Sequence, residues 1–477
     1  MSNSKRKKRH ILPILLLVLL LAVGGTLIAG VIVLQFRGDL ADVLQMISDF
    51  FKTGGDFSIL MLFWVVLIPI LLIGLLVMNI KRRKKLKEIE HVWQDAVKAV
   101  AEREEKRRIA EEAERQGKPR FRRLNRLETK KNLLDMNAES ISSLSELCEK
   151  FRGYAATQLG LYYSMTDIRE FISALAVSHI VILQGLSGTG KTSLAYAIGE
   201  FLGNPSTIIP VQPMWKERAD LLGYYNEFTR KFNETELLQK LYEANRSENI
   251  YITVLDELNI ARVEYYFADF LSLLELPNPE SRYLDVVPDV WKNDPSGLKD
   301  GRIKLPENMW FIGTANNDDS TFALSDKVYD RAMIINLDKK ADYAREEICV
   351  QQKRARLTMK EFESLILRER ESYELTTRNE GRLKALDEYL IENYRISFGN
   401  RIMKQIRSYV SVYIGCGGEE MDALDDILCK KVFRKLEMQN TAYLKSEAEN
   451  LCRYIDELFG GGLKRCGEYI RRIAISG

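Results

Sequence analysis

Hydrophobic and polar positions divide the chain into three parts with different patterns. Two long runs without a charged residue, 11–36 and 57–80, lie near the amino terminus. Residues 81–135 are rich in charged side chains and contain few apolar ones. From residue 136 onwards, short apolar runs that end in polar or acidic residues are separated by longer segments of helical pattern. Because such short runs are typical of buried β-strands, this third part is predicted to be a folded domain.

Each uncharged run is long enough to cross a bilayer as an α-helix, so we predict transmembrane helices at 11–36 and 57–80. Basic clusters at 5–9 and 81–85 flank the pair, whereas the connecting loop, 37–56, holds four acidic residues against two basic ones. Because cytoplasmic flanks carry the excess of lysine and arginine, both ends of the chain are predicted to lie in the cytoplasm. A cleaved signal peptide is the alternative interpretation of the first run.

Residues 81–116 carry opposite charges four positions apart, as in Glu102 and Lys106, which predicts a helix exposed to solvent. A stalk or oligomerisation neck is one interpretation of this segment. A plain charged spacer fits the pattern equally well.

A glycine-rich segment follows the apolar run 179–184 and matches the phosphate-binding pattern G-x-x-x-x-G-K-[ST]. Its glycines allow the backbone to turn so that successive amide groups point at phosphate oxygens. Lys191 is expected to reach the β- and γ-phosphates, and the Thr192 hydroxyl to hold Mg²⁺. Residues 193–202 predict a helix whose amino terminus faces the anion. The predicted nucleotide-binding residues are Gly185, Leu186, Ser187, Gly188, Thr189, Gly190, Lys191, Thr192 and Ser193.

A second apolar run, 250–255, ends in Asp256 and Glu257, which is the Walker B arrangement. At the tip of a buried strand, Asp256 is predicted to bind Mg²⁺ together with Thr192. Glu257 is predicted to polarise the water molecule that attacks the γ-phosphate.

Two more strands are predicted at 309–315 and 332–337. Asn316 stands at the tip of the first, where its amide can position the attacking water. Arg331 directly precedes the second, so we expect it at the domain edge, within reach of a neighbouring subunit's γ-phosphate. The predicted catalytic residues are therefore Glu257, Asn316 and Arg331.

These motifs occur in the order found in AAA+ ATPases, and residues 166–459 resemble the dynein-related branch of that family. The stretches 220–226 and 255–267 carry the likeness to this branch, which includes the MoxR-like and methylcytosine-restriction NTPases. The resemblance implies a five-stranded parallel sheet with helices on both faces, followed by a helical lid. It also implies a ring, usually hexameric, in which each active site is completed by a neighbour. By this resemblance Asn316 is sensor 1 and Arg331 is the arginine finger.

The segment 396–407 resembles the sensor 2 helix, which makes Arg401 the candidate that contacts the γ-phosphate. Arg407 and a purely structural role are the alternatives. ATP with Mg²⁺ is the expected ligand. The methylcytosine-restriction enzymes prefer GTP, but the branch's extended sensor 1 signature is replaced here by the residues 316–319, which favours ATP and leaves GTP as the alternative.

The region 279–306 is rich in proline and glycine and predicts a long loop or hairpin. A surface insertion is the preferred interpretation. A loop that faces the pore of a ring is the alternative, and in that case Trp291 would contact a client.

Composition narrows the remaining possibilities. The formal net charge of +3 is near balance and does not favour nucleic acid as a partner. The six cysteines form no C-x-x-C pair, which indicates free thiols rather than a disulfide framework or a zinc site. With three histidines in 477 residues, catalysis or metal binding by histidine is not expected.

The predicted fold class is α/β: a P-loop AAA+ five-stranded parallel sheet with helices on both faces and a C-terminal α-helical lid, preceded by two transmembrane helices. The predicted divisions are a basic cytoplasmic amino terminus (1–10), transmembrane helix 1 (11–36), a short external loop (37–56), transmembrane helix 2 (57–80), a charged helical stalk and linker (81–135), the nucleotide-binding α/β domain (136–338) and the helical lid (339–477).

We therefore predict a membrane-anchored AAA+ ATPase with its nucleotide domain in the cytoplasm. It is expected to form a homo-oligomeric ring, to hydrolyse MgATP at subunit interfaces, and to remodel or move a protein client or adaptor. One alternative is a nucleotide-gated scaffold, in which assembly rather than turnover is the output. Another is a nucleic-acid motor related to the restriction NTPases, although nucleic acid is not the expected partner.

Overall fold

The computed structural model describes residues 119–129, 138–316, 321–337 and 352–476, together with short helical pieces between residues 45 and 106. The chain divides into two compact units, Met1–Ala110 and Glu111–Gly477. In the first unit, residues 80–86 and 96–106 are helical and exposed. The second unit contains all the residues that were predicted to form a nucleotide site.

The second unit alternates strands and helices along most of its length. Its strands are β1 (Glu139–Ser140), β2 (Ile180–Gly185), β3 (Thr207–Pro210), β4 (Gly223–Asn226), β5 (Lys231–Glu234), β6 (Tyr251–Asp256), β7 (Tyr283–Asp285), β8 (Arg302–Lys304), β9 (Met309–Asn316), β10 (Met333–Asn336) and β11 (Ala355–Arg356). Its helices are α1 (Arg123–Thr129), α2 (Leu144–Leu159), α3 (Met165–Val177), α4 (Lys191–Phe201), α5 (Arg218–Leu222), α6 (Glu236–Ala244), α7 (Val263–Tyr266), α8 (Ala268–Leu274), α9 (Asp326–Arg331), α10 (Met359–Ser372), α11 (Thr377–Tyr394), α12 (Asn400–Gly415), α13 (Glu420–Lys431), α14 (Thr441–Phe459) and α15 (Lys464–Ser476).

Five strands form one parallel sheet in the order β10-β2-β9-β6-β3. The sheet is buried on both faces, as expected of strands that are nearly continuous apolar runs. Its register brings Gly185 beside Asn316 at the carboxyl edge, and Met333 beside Val181 at the amino edge. The five-stranded parallel sheet implied by the family resemblance is confirmed.

Alternate residues of the strands face two separate hydrophobic clusters. Val181 and Leu183 of β2 pack with α2, α3, α4 and the helices that follow the sheet. Ile180 and Ile182 pack on the opposite face with α6, α7 and α8. The sheet is therefore the central layer between two helical layers.

The C-terminal helices are attached to α3 by a buried cluster of charged side chains. Lys430 Nζ of α13 lies 2.6 Å from Glu170 Oε2 of α3 and 2.5 Å from Asp426 Oδ1. Arg465 Nη1 of α15 lies 2.5 Å from Glu170 Oε1, and the Tyr409 hydroxyl of α12 donates to Asp426 Oδ2 at 2.6 Å. Within this cluster, two basic and two acidic groups balance each other's charge.

The prediction of two membrane-spanning helices was wrong with respect to the part of the chain that the structure describes. Within those residues, no helix combines the length and the apolar character needed to cross a membrane. The longest described helices, α11 and α14, carry charged residues along their exposed faces. The uncharged runs 11–36 and 57–80 lie almost entirely outside the described residues.

The fold class and the localisation that relied on a two-span anchor are corrected accordingly. The physical reason is that an uncharged run meets a condition of composition, whereas a span also needs a continuous helix of about 20 residues. The structure supports the α/β fold without the predicted spans.

Candidate nucleotide site

The loop between β2 and α4 has the backbone conformation that the phosphate-binding pattern requires. Gly188 and Gly190 have φ values of 78° and 90°, in the left-handed region that side chains with a Cβ rarely adopt. Gly190 is the residue that caps the amino terminus of α4, so the free amide groups of that helix face the loop. The Tyr163 hydroxyl donates to the carbonyl oxygen of Gly190 at 3.0 Å and supports the turn from behind.

The Lys191 side chain is folded over this loop. It is 6% exposed, and its Nζ donates to the carbonyl oxygens of Gly185 at 2.9 Å and Leu186 at 2.7 Å. These two bonds hold the ammonium group at the loop, where its positive charge is suited to binding a phosphate.

Asp256 joins three elements at the carboxyl edge of the sheet. Its Oδ1 accepts hydrogen bonds from the Thr192 hydroxyl and from the Thr314 hydroxyl, each at 2.8 Å. Thr192 lies in the first turn of α4 and Thr314 belongs to β9, so the carboxylate at the tip of β6 is fixed between them. Hydroxyl and carboxylate oxygens are the hard donors that Mg²⁺ prefers, and Thr192 with Asp256 would hold that ion.

Glu257 follows directly and has a strained backbone. Its φ of 53° is unusual for a residue with a side chain, and its amide donates to Thr314 Oγ1 at 2.8 Å. Thr314 therefore fixes both acidic residues at the strand tip. The Glu257 side chain is exposed, so a water molecule can reach its carboxylate.

Asn316 lies at the same edge, because it pairs with Gly185 in the register of β9 and β2. Its carbonyl oxygen accepts hydrogen bonds from Asn259 Nδ2 at 3.0 Å and from Thr321 Oγ1 at 3.1 Å. These bonds fix the backbone where the strand ends and leave the Asn316 amide group to other contacts. The structure thus brings the loop, Asp256, Glu257 and Asn316 together.

Arg331 and Arg401 lie at the opposite edge of the sheet. Ser178, just before β2, donates its hydroxyl to the carbonyl oxygen of Arg331 at 3.0 Å. Arg331 Nη2 lies 2.7 Å from Glu275 Oε2, and both Arg401 terminal nitrogens lie 2.5 Å from Glu275 Oε1. The length of β2, roughly 17 Å at the usual rise per residue, separates this cluster from the loop of the same chain.

Glu275, at the C-terminal end of α8, therefore accepts from two guanidinium groups at once. The hydrogen bond from Arg331 and the positive charges of both arginines hold its pKa below the usual range, against the opposing effect of partial burial. The carboxylate is charged at neutral pH.

A cavity of about 1030 Å³ opens around this cluster, between the amino edge of the sheet and the C-terminal helices. Acidic side chains in its lining are outnumbered by basic ones, so the cavity has an excess of positive charge. The basic residues are Arg282, Arg331, Arg370, Arg401, Lys404 and Arg407, and the acidic residues are Glu275, Asp330, Glu374 and Glu380.

Lys431 of α13 anchors the backbone that carries Arg331. Its Nζ donates to the carbonyl oxygens of Tyr329 at 2.8 Å and Ala332 at 2.5 Å, on either side of that residue. Burial lowers the pKa of Lys431 to about 7, and the negative charge of Asp330 opposes that shift only in part. A C-terminal helix thus fixes the end of α9.

Trp291, the residue considered for client contact, packs within the domain. The Arg120 guanidinium lies 4.3 Å from its ring centroid, and the Tyr225 ring packs edge-on at 5.6 Å. Arg120 is also paired with Asp294 at 2.5 Å, so the insertion folds back on the start of this unit.

Several residues at these edges were missed by the sequence analysis. Thr314 had a signal, since it is a polar residue inside an apolar strand. Tyr163, Glu275 and Lys431 had none, because each meets its partner through contacts between segments distant in sequence.

Comparison with protein families finds a match for the part of the chain that holds this site. Residues 180–332 match the family model of the AAA domain, dynein-related subfamily. The match runs from β2 to α9 and includes the loop, Asp256, Glu257, Asn316 and Arg331. It supports an AAA+ nucleotide-binding domain, and domains of this family generally hydrolyse ATP with Mg²⁺.

The match is shorter than the predicted resemblance, 166–459. Residues 350–474, which contain α10 to α14 and most of α15, match a different family model, a domain of unknown function (DUF8727). Among solved structures, the chain is similar to a full-length MCM homolog from Methanopyrus kandleri. That similarity has 12% sequence identity and a TM-score of 0.35, and covers 61% of this chain and 60% of the other. No curated protein matches the chain.

Proposed function

We propose that this protein is an AAA+ ATPase that hydrolyses MgATP at interfaces between copies of itself and uses the turnover to remodel or move a protein partner. The observation that carries the proposal is the separation of two half-sites. The loop and acidic residues lie at one edge of the sheet, and Arg331 with Arg401 at the other. A closed ring of identical copies can bring the amino edge of one subunit to the nucleotide of the next.

The carboxyl-edge residues have the chemistry that phosphoryl transfer to water needs. The loop amides and Lys191 bind the phosphates, and Thr192 with Asp256 positions the ion, which when bound neutralises phosphate charge. Glu257 accepts a proton from water as the water oxygen bonds to the γ-phosphorus. The bond from that phosphorus to the bridging oxygen breaks, and the electron pair leaves with the diphosphate. Asn316 orients the water.

Arg331 and Arg401 would act on the nucleotide of a neighbour. Their guanidinium groups are already side by side, at a spacing set by one carboxylate. Arginine suits this role because its planar donors match phosphate oxygens in pairs. The γ-phosphate that Arg401 was expected to contact would therefore belong to the nucleotide of a second copy.

A protein client is supported by a different feature. Phe228, in the turn between β4 and β5, is 100% exposed, and Met214 nearby in sequence is 76% exposed. Exposed aromatic side chains of this kind are suited to gripping an unfolded or flexible segment. A client that stays on the ATP-loaded Glu257→Gln variant, but is lost when Phe228→Ala is added, would identify the contact.

The main test is ATP turnover of the wild type and of Glu257→Gln. The variant should bind ATP normally and turn it over about 10²- to 10⁴-fold more slowly, because proton acceptance is lost while the phosphate contacts remain. Glu264→Gln, a nearby change outside the site, serves as the matched control and should keep full turnover. If the wild type is as slow as Glu257→Gln while both bind ATP and assemble, the scaffold alternative is correct instead.

A further inference from the structure

Glu275 holds together the two arginines that are proposed to contact a neighbour's phosphate. Each of its two carboxylate oxygens accepts from a different guanidinium group, with donor–acceptor distances of 2.5 to 2.7 Å. The three side chains are partly exposed: 23% for Arg331, 30% for Glu275 and 55% for Arg401. The cluster is therefore formed but open to an incoming group.

A phosphate and a carboxylate compete for the same donors. Both offer paired acceptor oxygens that match the guanidinium fork, and both are negatively charged. A γ-phosphate placed on Arg331 and Arg401 would lie against Glu275, where the like charges repel. The two anions cannot both occupy the cluster at full strength.

The rest of the cavity favours the arrival of an anion. Glu380 is already paired with Arg407, at 3.1 Å, and the remaining basic side chains leave an excess of positive charge around the cluster. A further anion is therefore attracted into the cavity as a whole, while Glu275 opposes it locally. Glu275 therefore opposes an anion at the two arginines, although the cavity as a whole attracts one.

We propose that Glu275 is a positioning residue that occupies, in a single subunit, the place taken in the assembly by the γ-phosphate of a second copy's nucleotide. It keeps Arg331 and Arg401 aligned, and the triphosphate of the neighbour displaces it. The inference rests on the proposed function, in which these arginines act on a neighbouring site. ADP has no γ-phosphate to displace the carboxylate, so Glu275 makes assembly sensitive to which nucleotide is bound.

The experiment measures the concentration of half-assembly for the full chain, by sedimentation, with a non-hydrolysable ATP analogue and separately with ADP. Glu275→Gln keeps the size of the side chain and removes its charge. It should lower the half-assembly concentration with the analogue by about tenfold, within the usual range of coupling between sites. With ADP the change should stay below about twofold.

Two controls make the result specific. Glu374→Gln removes a carboxylate that lines the same cavity but forms no ion pair in the described structure, and it should shift assembly by less than about twofold. In a chain that carries both Arg331→Ala and Arg401→Ala, the effect of Glu275→Gln should disappear. Glu275→Asp, which keeps the charge but shortens the side chain, should give a smaller shift in the same direction.

An unchanged or raised half-assembly concentration for Glu275→Gln with the analogue overturns the inference, as does an equal shift with ADP. The proposed function stands in those cases if assembly of the wild type changes when the analogue is added. If the analogue changes assembly of neither the wild type nor the variant, the proposed function fails together with the inference.

Discussion

The two edges of the central sheet differ in how far one subunit completes them. At the carboxyl edge, Asp256 is fixed by the hydroxyl groups of Thr192 and Thr314, and Lys191 is folded onto the loop. At the amino edge, the arginines that would contact phosphate are neutralised by a carboxylate of the same chain. One edge is prepared for its ligand, and the other is held in a substitute arrangement.

The difference follows from the groups that build each edge. Backbone amides and short side chains at strand tips have few rotamers, so they can be fixed before a ligand arrives. Long arginine side chains lose more freedom when they are ordered, and a nearby carboxylate holds them in place at little further cost. In the proposed function, the rigid carboxyl edge binds the nucleotide of its own subunit. The amino edge, whose arginines can exchange one anion for another, responds to the nucleotide of a neighbour.

The largest effect should come from Lys191→Ala, which tests the prepared edge. Its buried ammonium group would interact directly with phosphate, so we expect ATP affinity to fall by at least about 100-fold. Isothermal titration calorimetry measures this. Lys216→Ala removes an exposed lysine just beyond β3 and should leave the affinity unchanged. Affinity of the Lys191→Ala variant within about threefold of the wild type would contradict the assignment of the loop.

The two edges also differ in how much of each can be predicted from the sequence. The loop, Asp256, Glu257 and Asn316 are adjacent to their strands in sequence, so a pattern of apolar runs and polar tips was enough to predict their positions, whereas their roles stay predictions. The five-stranded parallel sheet, which the family resemblance implied, agrees with the structure.

The amino edge gave no such signal, apart from the position of Arg331 and the resemblance of the segment that holds Arg401. Glu275 meets Arg401 across 126 positions of sequence, and Lys431 meets Ala332 across 99. Contacts of this kind depend on tertiary packing and leave no local pattern. The same limit applies to the membrane prediction, which relied on composition without a described helix.

The second largest effect concerns the incomplete edge and uses mixed subunits. Arg331→Ala and Glu257→Gln should each lower turnover by about 10²-fold or more when assembled alone. In a mixture, some interfaces combine an intact Glu257 from one copy with an intact Arg331 from its neighbour. We therefore expect turnover to rise above that of either variant, to a measurable fraction of the wild type, in a coupled assay of ADP release.

Mixing each variant with a Lys191→Ala chain provides the comparison for this experiment. Lys191→Ala with Arg331→Ala should also show partial recovery, because the two defects lie at opposite edges. Lys191→Ala with Glu257→Gln should show none, because both defects lie at the same edge of their own subunit. A complete lack of recovery in the mixture of Arg331→Ala with Glu257→Gln would mean that Arg331 does not act on a neighbouring site.

The smallest expected effect is on the pH dependence of stability, and it tests how Lys431 anchors the backbone of the amino edge. Lys431 binds the carbonyl oxygens that flank Arg331, and burial lowers its pKa from the ordinary value of 10.5 to about 7. Between those two values the unfolded chain holds a proton on Lys431 that the folded chain has released. Folding is therefore favoured as pH rises from 7 towards 10, and below pH 7 both states are protonated and the slope vanishes.

Lys431→Met should remove this part of the pH dependence. We expect the free energy of unfolding of the wild type to rise relative to the variant by of the order of 2 kcal/mol between pH 7 and 9.5, in urea titrations. Lys445→Met, which changes an exposed lysine of α14, should keep the slope of the wild type. If Lys431→Met keeps it as well, the buried ammonium does not titrate in this range. Lys431 would then stay charged and hold the end of α9 throughout this pH range. The backbone of the amino edge would be as fixed as that of the carboxyl edge. Only the side chains of Arg331, Arg401 and Glu275 would exchange partners.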